Sequence, residues 1–350
     1  MNKLLLSLIF LTSSIASVER HAHLSFTQQS IHVLKELIIQ DIEPVERIIF
    51  LHIPKTAGTN LDNIAHAISD LSGNFHYQRL PIPRIPGKPP NLMTPGWIGG
   101  LQQLENNPNL LDTVPNLFFL TGHFPYGLHT HFTKPSKYVT LIRHPLKREL
   151  SDANFAYQRG YIDSKEFKTY LTERMIDNPQ VRLIAGKEYM TGPCTEKTLA
   201  QAQENIERDF LLAAPTDDVD VFFQILASIQ QWGPIAYAPM QITEQKVMEK
   251  LEPPLANTLL QKHEWDLKLY EWIKVRWDAY KKEMILGCKE LSSETQVLTL
   301  MPNHLSTRRA LFLSIHEIDA YNHEHMNEGL LELQQLPYQK DNIIEPLLKK

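Results

Sequence analysis

The stretch RIIFLHIPKTAGTNLDNIAHAISD, residues 47–70, joins two different periodic patterns through a short polar elbow. Residues 47–53 are almost continuously apolar, which is typical of a strand covered on both faces of a parallel sheet. After the elbow, apolar residues recur at helical spacing from Leu61 to Ile68, and Thr59 or Asn60 is a suitable N-cap. The sequence therefore predicts a strand, a loop and a helix in direct succession.

The elbow Pro54-Lys55-Thr56-Ala57-Gly58-Thr59-Asn60 has the composition of an anion-binding loop. Such a loop directs several backbone N–H groups and the positive end of a helix toward one point. Gly58 would let the backbone approach an anion closely, and Lys55 would supply a mobile positive charge. The hydroxyls of Thr56 and Thr59 could donate hydrogen bonds. Because the lysine precedes the glycine, the elbow is not a Walker A loop; an ordinary turn with a solvated lysine is the alternative.

A second elbow follows the stretch KYVTLI, residues 137–142, which also reads as a buried strand. Its residues are Arg143-His144-Pro145, a helical pattern follows, and Ser151 lies eight residues after Arg143. Ligands of open α/β sheets bind at the carboxyl ends of strands, so two such elbows can hold two ends of one anion. An arginine fork with a hydroxyl suits a phosphate group. Alternatively, Arg143 caps its strand or pairs with a carboxylate.

The rest of the chain supports an α/β protein. Apolar runs at residues 116–121 and 218–225 predict two further strands. Helical patterns occupy residues 164–176, 196–212, 241–250 and 255–284. Strands that alternate with helices favour a mainly parallel central sheet with covered faces. The proline- and glycine-rich residues 80–100 predict a long loop, and the chain beyond about residue 292 is expected to be peripheral.

Composition excludes several classes of protein. A formal charge of −5 argues against a nucleic-acid-binding protein. Two cysteines are too few for a disulfide framework or a structural zinc site. With 350 residues the chain is long enough for one large domain with appendages.

The amino terminus carries a targeting pattern. Within residues 1–18, Lys3 precedes an apolar stretch of about a dozen residues and then small residues, as in a secretory signal peptide. An uncleaved membrane anchor is the alternative, and membrane contact is expected only through this segment. The chain lacks an Asn-x-Ser/Thr sequon, which favours a bacterial source. We therefore expect a protein that is exported or anchored through its first residues.

The two elbows together resemble the sulfotransferase family. Residues 54–59 resemble the loop that binds the 5′-phosphosulfate group, and Leu141-Ile142-Arg143-His144-Pro145 through Ser151 resembles the 3′-phosphate motif. The carbohydrate branch, of heparan sulfate 2-O and 6-O type, is the most similar, with resemblance over about residues 46–285. Further similar stretches are GHFPYGLH (122–129), YQRG (157–160), DNPQVRLIAG (177–186) and Asp266, Leu269 and Tyr270. The family usually has aspartate at His144 and threonine or serine at Asn60.

This resemblance implies a P-loop-like three-layer fold and a specific reaction. The donor would be 3′-phosphoadenosine 5′-phosphosulfate, the acceptor a hydroxyl, for example on a carbohydrate, and no metal would be required. Residues 40–290 would form the sulfotransferase domain, and residues 291–350 an extension of unknown role. Residues 54–60 would bind the 5′ end, with Lys55 neutralising the leaving oxygen, and Arg143 and Ser151 would bind the 3′-phosphate. A nucleotide-dependent kinase and an inactive carbohydrate- or nucleotide-binding relative are the alternatives.

Transfer to an alcohol also needs a base that accepts the hydroxyl proton. The candidates are His123 and His129, which both follow the predicted strand 116–121. The 2-O-type motif resembles Gly122-His123, whereas the 6-O-type motif resembles Gly127-Leu128-His129. The sequence gives His123 a slight preference, because it directly follows the strand, and leaves His129 as the rival.

Overall fold

The computed structural model describes residues 31–72, 76–79, 118–132, 134–174, 176–238, 246–301 and 309–320. The strands are β1 (His32–Val33), β2 (Glu36–Ile39), β3 (Arg47–Leu51), β4 (His76–Arg79), β5 (Phe118–Gly122), β6 (Lys137–Ile142), β7 (Phe210–Pro215), β8 (Ile235–Tyr237), β9 (Ile285–Lys289), β10 (Gln296–Met301) and β11 (Arg309–Ser314). The helices are α1 (Gly58–Ser72), α2 (Pro145–Gln158), α3 (Pro179–Ala185), α4 (Glu196–Asp209), α5 (Val219–Ile229), α6 (Pro253–Lys262) and α7 (Glu264–Met284). Shorter helical segments are Leu128–His131, Phe167–Thr169, Tyr170–Arg174, Lys187–Tyr189, Thr216–Asp218 and residues 315–320.

Five parallel strands form the central sheet in the order β4-β5-β3-β6-β7. Strand β3 is central, and all five of its residues are buried, as its continuous apolar sequence predicts. The predicted α/β fold with a mainly parallel sheet is confirmed.

Helices cover both faces of this sheet. Side chains of a strand alternate between faces, so Ile49 and Leu51 pack in a cluster with α3, α4 and α7. Ile48 and Phe50 pack on the other side with α1 and α5. The protein is therefore a three-layer structure.

The topology places one crevice beside the end of β3. From β3 the chain passes through α1 to β4 at one edge of the sheet, whereas from β6 it passes through α2 toward β7 at the other edge. Strands β3 and β6 are neighbours, so the loops after them leave in opposite directions. Such a switch point is where open α/β sheets bind their ligands. Both predicted elbows lie there.

One predicted strand is wrong. Residues 218–225 belong mostly to helix α5, and the fifth strand of the sheet is β7, whose first residues the sequence assigned to the helix 196–212. Helix α4 ends at Asp209 instead. The buried side chains of α5 include Phe222, Ile225, Leu226 and Ile229, which follow helical spacing.

Other predicted helices differ in extent. Where the sequence predicted one helix over residues 164–176, the structure has two short helical segments between Phe167 and Arg174. The helix predicted for residues 255–284 is two helices, α6 and α7, with His263 between them. Residues 246–250 of the predicted helix 241–250 are not helical. The predicted signal or anchor (1–18) and long loop (80–100) lie outside the described residues.

Residues beyond 292 are not all peripheral, contrary to expectation. Strand β10 pairs with β8 in a second sheet of order β1-β8-β10-β11. Leu300 of β10 lies in the same apolar cluster as α1, α5 and the central sheet, and is 6% exposed. Strand β10 is therefore part of the folded body.

Neither a membrane-spanning helix nor a metal-binding group of side chains occurs among the described residues. None of their helices combines the length and the apolar character needed to cross a bilayer. Their His, Cys, Asp and Glu side chains also do not form a group of three or more that could hold a metal ion.

Candidate active site

The loop after β3 has an unusual backbone conformation. Lys55 and Ala57 have φ angles of 68° and 61°, in the left-handed region that side chains other than glycine rarely adopt. Left-handed residues in a turn direct successive N–H groups into a concavity that suits an anion. Helix α1 begins directly afterwards, at Gly58, so its positive end faces the same region. Such strain is common where a loop binds a ligand.

The remaining residues of the loop differ in exposure. Pro54 and Thr59 are half-buried, and Ala57 is exposed. Thr56 is fully buried, and its hydroxyl donates to the carbonyl oxygen of Ile53 at 2.7 Å, so it stabilises the loop from inside. Asn60 is buried, and its backbone N–H donates to the carbonyl of Ala57 at 3.3 Å. The Thr56 hydroxyl, which the sequence assigned to an anion, thus donates its hydrogen bond within the loop.

Gly58 is required by a close approach between α1 and the end of β3. A Cβ atom at this position would lie 2.5 Å from Cδ2 of His52 and 2.6 Å from Cζ of Phe50. Real Cβ atoms do not approach other atoms so closely. The sequence predicted that Gly58 lets the backbone approach an anion; the close neighbours in the structure are the rings of His52 and Phe50.

Lys55 lies in a group of positive charges. Its Nζ atom is 3.9 Å from the ring centre of Phe155 on α2, a cation–π contact. Burial lowers the pKa of Lys55 to about 8; Asp152 opposes this shift, and three arginines add to it. Three of these basic residues, here called the cation cluster, are Lys55, Arg143 and Arg159; the remaining arginine, Arg148, is fully buried and pairs with Glu149.

The second elbow contacts the first directly. Nη1 of Arg143 donates to the carbonyl oxygen of Lys55 at 3.0 Å. The side-chain amide of Gln180 accepts from the backbone N–H of Arg143 and donates to its carbonyl, both at 2.8 Å. The position of Arg143 is thus fixed by three hydrogen bonds. Ser151 is half-buried on α2, four residues before Phe155, and therefore lies on the same side of that helix.

A buried carboxylate supports Gln180. Asp266 of α7 accepts from the backbone N–H groups of Gln180 and Val181 at 3.2 and 2.8 Å, at the start of α3. Burial raises the pKa of Asp266 to about 6. In return, the side chain of Asn178 accepts from the backbone N–H of Asp266 at 3.0 Å. The stretch DNPQVRLIAG thus positions Arg143, a role that spacing alone did not reveal.

His144, in the second elbow, makes an aromatic contact. It precedes α2 and makes no capping hydrogen bond with its side chain. Its ring meets the ring of Tyr270 edge-on, with 5.4 Å between centres. The hydroxyl of Tyr270 donates to Asp217 at 2.7 Å, and Asp217 also accepts from Lys147 at 2.6 Å.

His123 lies beside the first elbow. Its Nδ1 atom is 2.5 Å from the carbonyl oxygen of His52, the residue that follows β3, and the two rings are 4.5 Å apart. A carbonyl can only accept, so Nδ1 carries the hydrogen and Nε2 carries the lone pair. Burial lowers the pKa of His123 to about 3. At neutral pH its imidazole is therefore neutral, with a lone pair on Nε2.

His129 lies among different neighbours. It contacts Tyr138 and Tyr126, and its electrostatic partners include Asp209, so its surroundings are the amino ends of β6 and β7. The Tyr138 hydroxyl accepts from the N–H groups of Gly127 and His129, so its own hydrogen goes to Nδ1 of His129 at 3.1 Å. The neutral ring therefore carries its hydrogen on Nε2. The structure brings His123, but not His129, to the elbows.

Comparisons with known proteins give little further information. Neither protein-family models nor curated proteins match this chain. Among solved structures, retinol dehydratase in a complex with retinol and PAP matches with 15% sequence identity. The match covers 71% of this chain and 72% of that chain, with a TM-score of 0.29. A similarity at this level does not decide the fold or the function of this chain.

Proposed function

We propose that this protein transfers the sulfuryl group of 3′-phosphoadenosine 5′-phosphosulfate to a hydroxyl group. The observation that carries the proposal is the 3.0 Å hydrogen bond from Arg143 to the carbonyl of Lys55, which joins the two elbows at the switch point of the sheet. Two anion-binding elbows in contact suit a ligand with phosphate groups at both ends. The cation cluster supplies the opposite charge.

Each elbow has a distinct role in this proposal. The strained loop and the start of α1 would bind the 5′ end of the donor through backbone N–H groups. Arg143, with Ser151 from α2, would bind the 3′-phosphate, the group that distinguishes this donor from ATP. Lys55, in the first elbow, would stabilise the negative charge that develops on the leaving phosphate oxygen.

The proposed reaction forms one bond to sulfur, breaks another and moves one proton. The donor supplies a sulfuryl group on a good leaving phosphate. The acceptor oxygen forms a bond to sulfur while the bond from sulfur to the phosphate oxygen breaks, and that oxygen keeps the electron pair. Nε2 of His123 would take the hydroxyl proton. The products are a sulfate ester and adenosine 3′,5′-bisphosphate.

The proposal also includes the class of the acceptor and the location of the protein. The resemblance to heparan sulfate 2-O- and 6-O-sulfotransferases suggests a carbohydrate hydroxyl. The targeting pattern in residues 1–18 suggests export or anchoring. A screen of acceptors with radiolabelled donor would identify the substrate, and binding without turnover on any acceptor would indicate an inactive relative.

Isothermal titration tests the donor site. We expect adenosine 3′,5′-bisphosphate to bind more tightly than ATP, and Arg143→Ala to weaken that binding by roughly 1.5–3 kcal/mol, the scale of a charge-assisted hydrogen bond. The same variant should hardly change binding of adenosine 5′-monophosphate. Arg276→Ala is a matched control, because Arg276 pairs with Glu207 on the surface. Tighter binding of ATP would indicate a kinase instead.

A further inference from the structure

A buried carboxylate contacts His52, the residue that follows β3, whose ring packs against that of His123. Asp62 of α1 is 0% exposed, and its Oδ2 is 3.2 Å from Nδ1 of His52. The hydroxyl of Thr121, on β5, donates to Oδ1 of Asp62 at 2.6 Å. His52 and Thr121 hold the pKa of Asp62 below its usual value although burial opposes them. Asp62 is therefore ionised, and Nδ1 of His52 must donate to it.

Further contacts hold the ring of His52 in place. Its ring stacks on Phe50 with 5.0 Å between centres and an interplanar angle of 12°. Gly58 leaves no space for a Cβ between α1 and the ring. The His123 ring packs against it at 4.5 Å, and the His52 carbonyl accepts from Nδ1 of His123. The orientation of His123 thus depends on a residue that Asp62 holds.

From this geometry we infer that Asp62 and His52 are positioning residues for His123. Asp62 fixes the tautomer and the ring plane of His52, and His52 in turn fixes His123 through its carbonyl and its ring. The same pair joins the base to the donor loop, because Asp62 and Gly58 both belong to the first turns of α1. As a consequence, the distance between the proton acceptor, His123, and the loop that binds the leaving group would stay constant. This inference rests on the proposed sulfuryl transfer.

Asp62→Asn tests the inference in the full-length protein. Because Thr121 donates to Oδ1, the new amide would place its nitrogen against Nδ1 of His52. We expect His52 to move its hydrogen from Nδ1 to Nε2, which long-range ¹H–¹⁵N spectra of ¹⁵N-histidine-labelled protein would detect. We expect kcat to fall about 10- to 100-fold, the scale of a misplaced reacting group. Binding of adenosine 3′,5′-bisphosphate should stay within about twofold, and Asp62→Glu should recover part of kcat.

The matched control is a second aspartate–histidine pair on the same helix. Asp70 lies 3.3 Å from His66 on the surface of α1, so Asp70→Asn should change the signals of His66 but neither those of His52 nor kcat. If Asp62→Asn does not fold, Thr121→Val replaces it, with a smaller loss of kcat expected. An unchanged kcat in the variant used, or in Asp62→Asn an unchanged His52 tautomer or an equal loss of donor affinity, would overturn the positioning role. A wild-type protein that binds no adenosine 3′,5′-bisphosphate would instead overturn the proposed function, and this inference with it.

Discussion

At the scale of single residues, the environment of Lys55 has two opposing consequences. Burial and three neighbouring arginines disfavour its ammonium form, and the Phe155 ring and Asp152 stabilise it. An ammonium group in such surroundings is weakly solvated, so a developing negative charge would interact with it strongly. The same surroundings lower its pKa to about 8, so the charge is present below that pH and lost above it.

Lys55 variants should therefore show a defect in turnover with a distinct pH dependence. Lys55→Ala should lower kcat by about two to three orders of magnitude, the scale of one lost transition-state donor, with a smaller change in donor affinity. In the wild type, kcat/KM should decline above about pH 8, and Lys55→Arg should move this decline to higher pH. Steady-state rates between pH 6 and 10 check this, with Lys168→Ala, on the surface, as control. Normal turnover by Lys55→Ala would contradict the assignment.

The two histidines differ in a way that a pH profile can resolve. From the sequence, an acidic limb near the ordinary histidine pKa of about 6.5 would be expected. Burial of His123 lowers its pKa to about 3, so the free protein should keep its activity well below pH 6.5. His123→Ala should reduce kcat roughly 10²- to 10⁴-fold, whereas His129→Ala should stay within about threefold. The reverse result would identify His129 as the base, and two active variants would indicate a carboxylate.

At the scale of helices and strands, the elements around the elbows were predictable. Strands β3, β5 and β6 fall close to the predicted runs, because a strand covered on both faces needs a continuous apolar sequence. The strand predicted for residues 218–225 was wrong, because a short apolar run is compatible with a buried helix as well as with a buried strand. The two hydrogen bonds between the Gln180 side chain and the backbone of Arg143 could not be predicted from the sequence, because they join residues that are distant along the chain.

The junction of β3 and α1 provides a prediction at this scale. Gly58→Ala would place a Cβ 2.5 Å from the His52 ring, so we expect a loss of about 1–3 kcal/mol in the free energy of unfolding. Gly287→Ala is the control, because among the described residues its Cβ would meet only Ile38, at an ordinary 3.8 Å. Urea unfolding followed by circular dichroism compares the two. Equal stability of the two variants would mean that helix and rings are not closely packed.

At the scale of the whole molecule, charge and packing are distributed unevenly. The chain carries a net charge of −5, yet the three basic residues of the cation cluster lie near the loop that follows β3. A local field of this kind, and not the net charge, would attract an anionic donor. The two sheets share one apolar core, because Leu300 of the second sheet and Val139 of the central sheet belong to the same cluster.

This shared core predicts that the second sheet and the central sheet unfold together. Leu300 is 6% exposed, so Leu300→Ala should lower the free energy of unfolding by about 2–5 kcal/mol, the cost of a cavity in a packed core. Leu286→Ala, at a side chain that is 65% exposed, should change it by less than about 0.5 kcal/mol. Urea unfolding followed by tryptophan fluorescence and by circular dichroism should give coincident transitions that both shift in Leu300→Ala. If β10 were an appendage, the main transition would keep its midpoint in this variant, and only a minor, earlier transition would move.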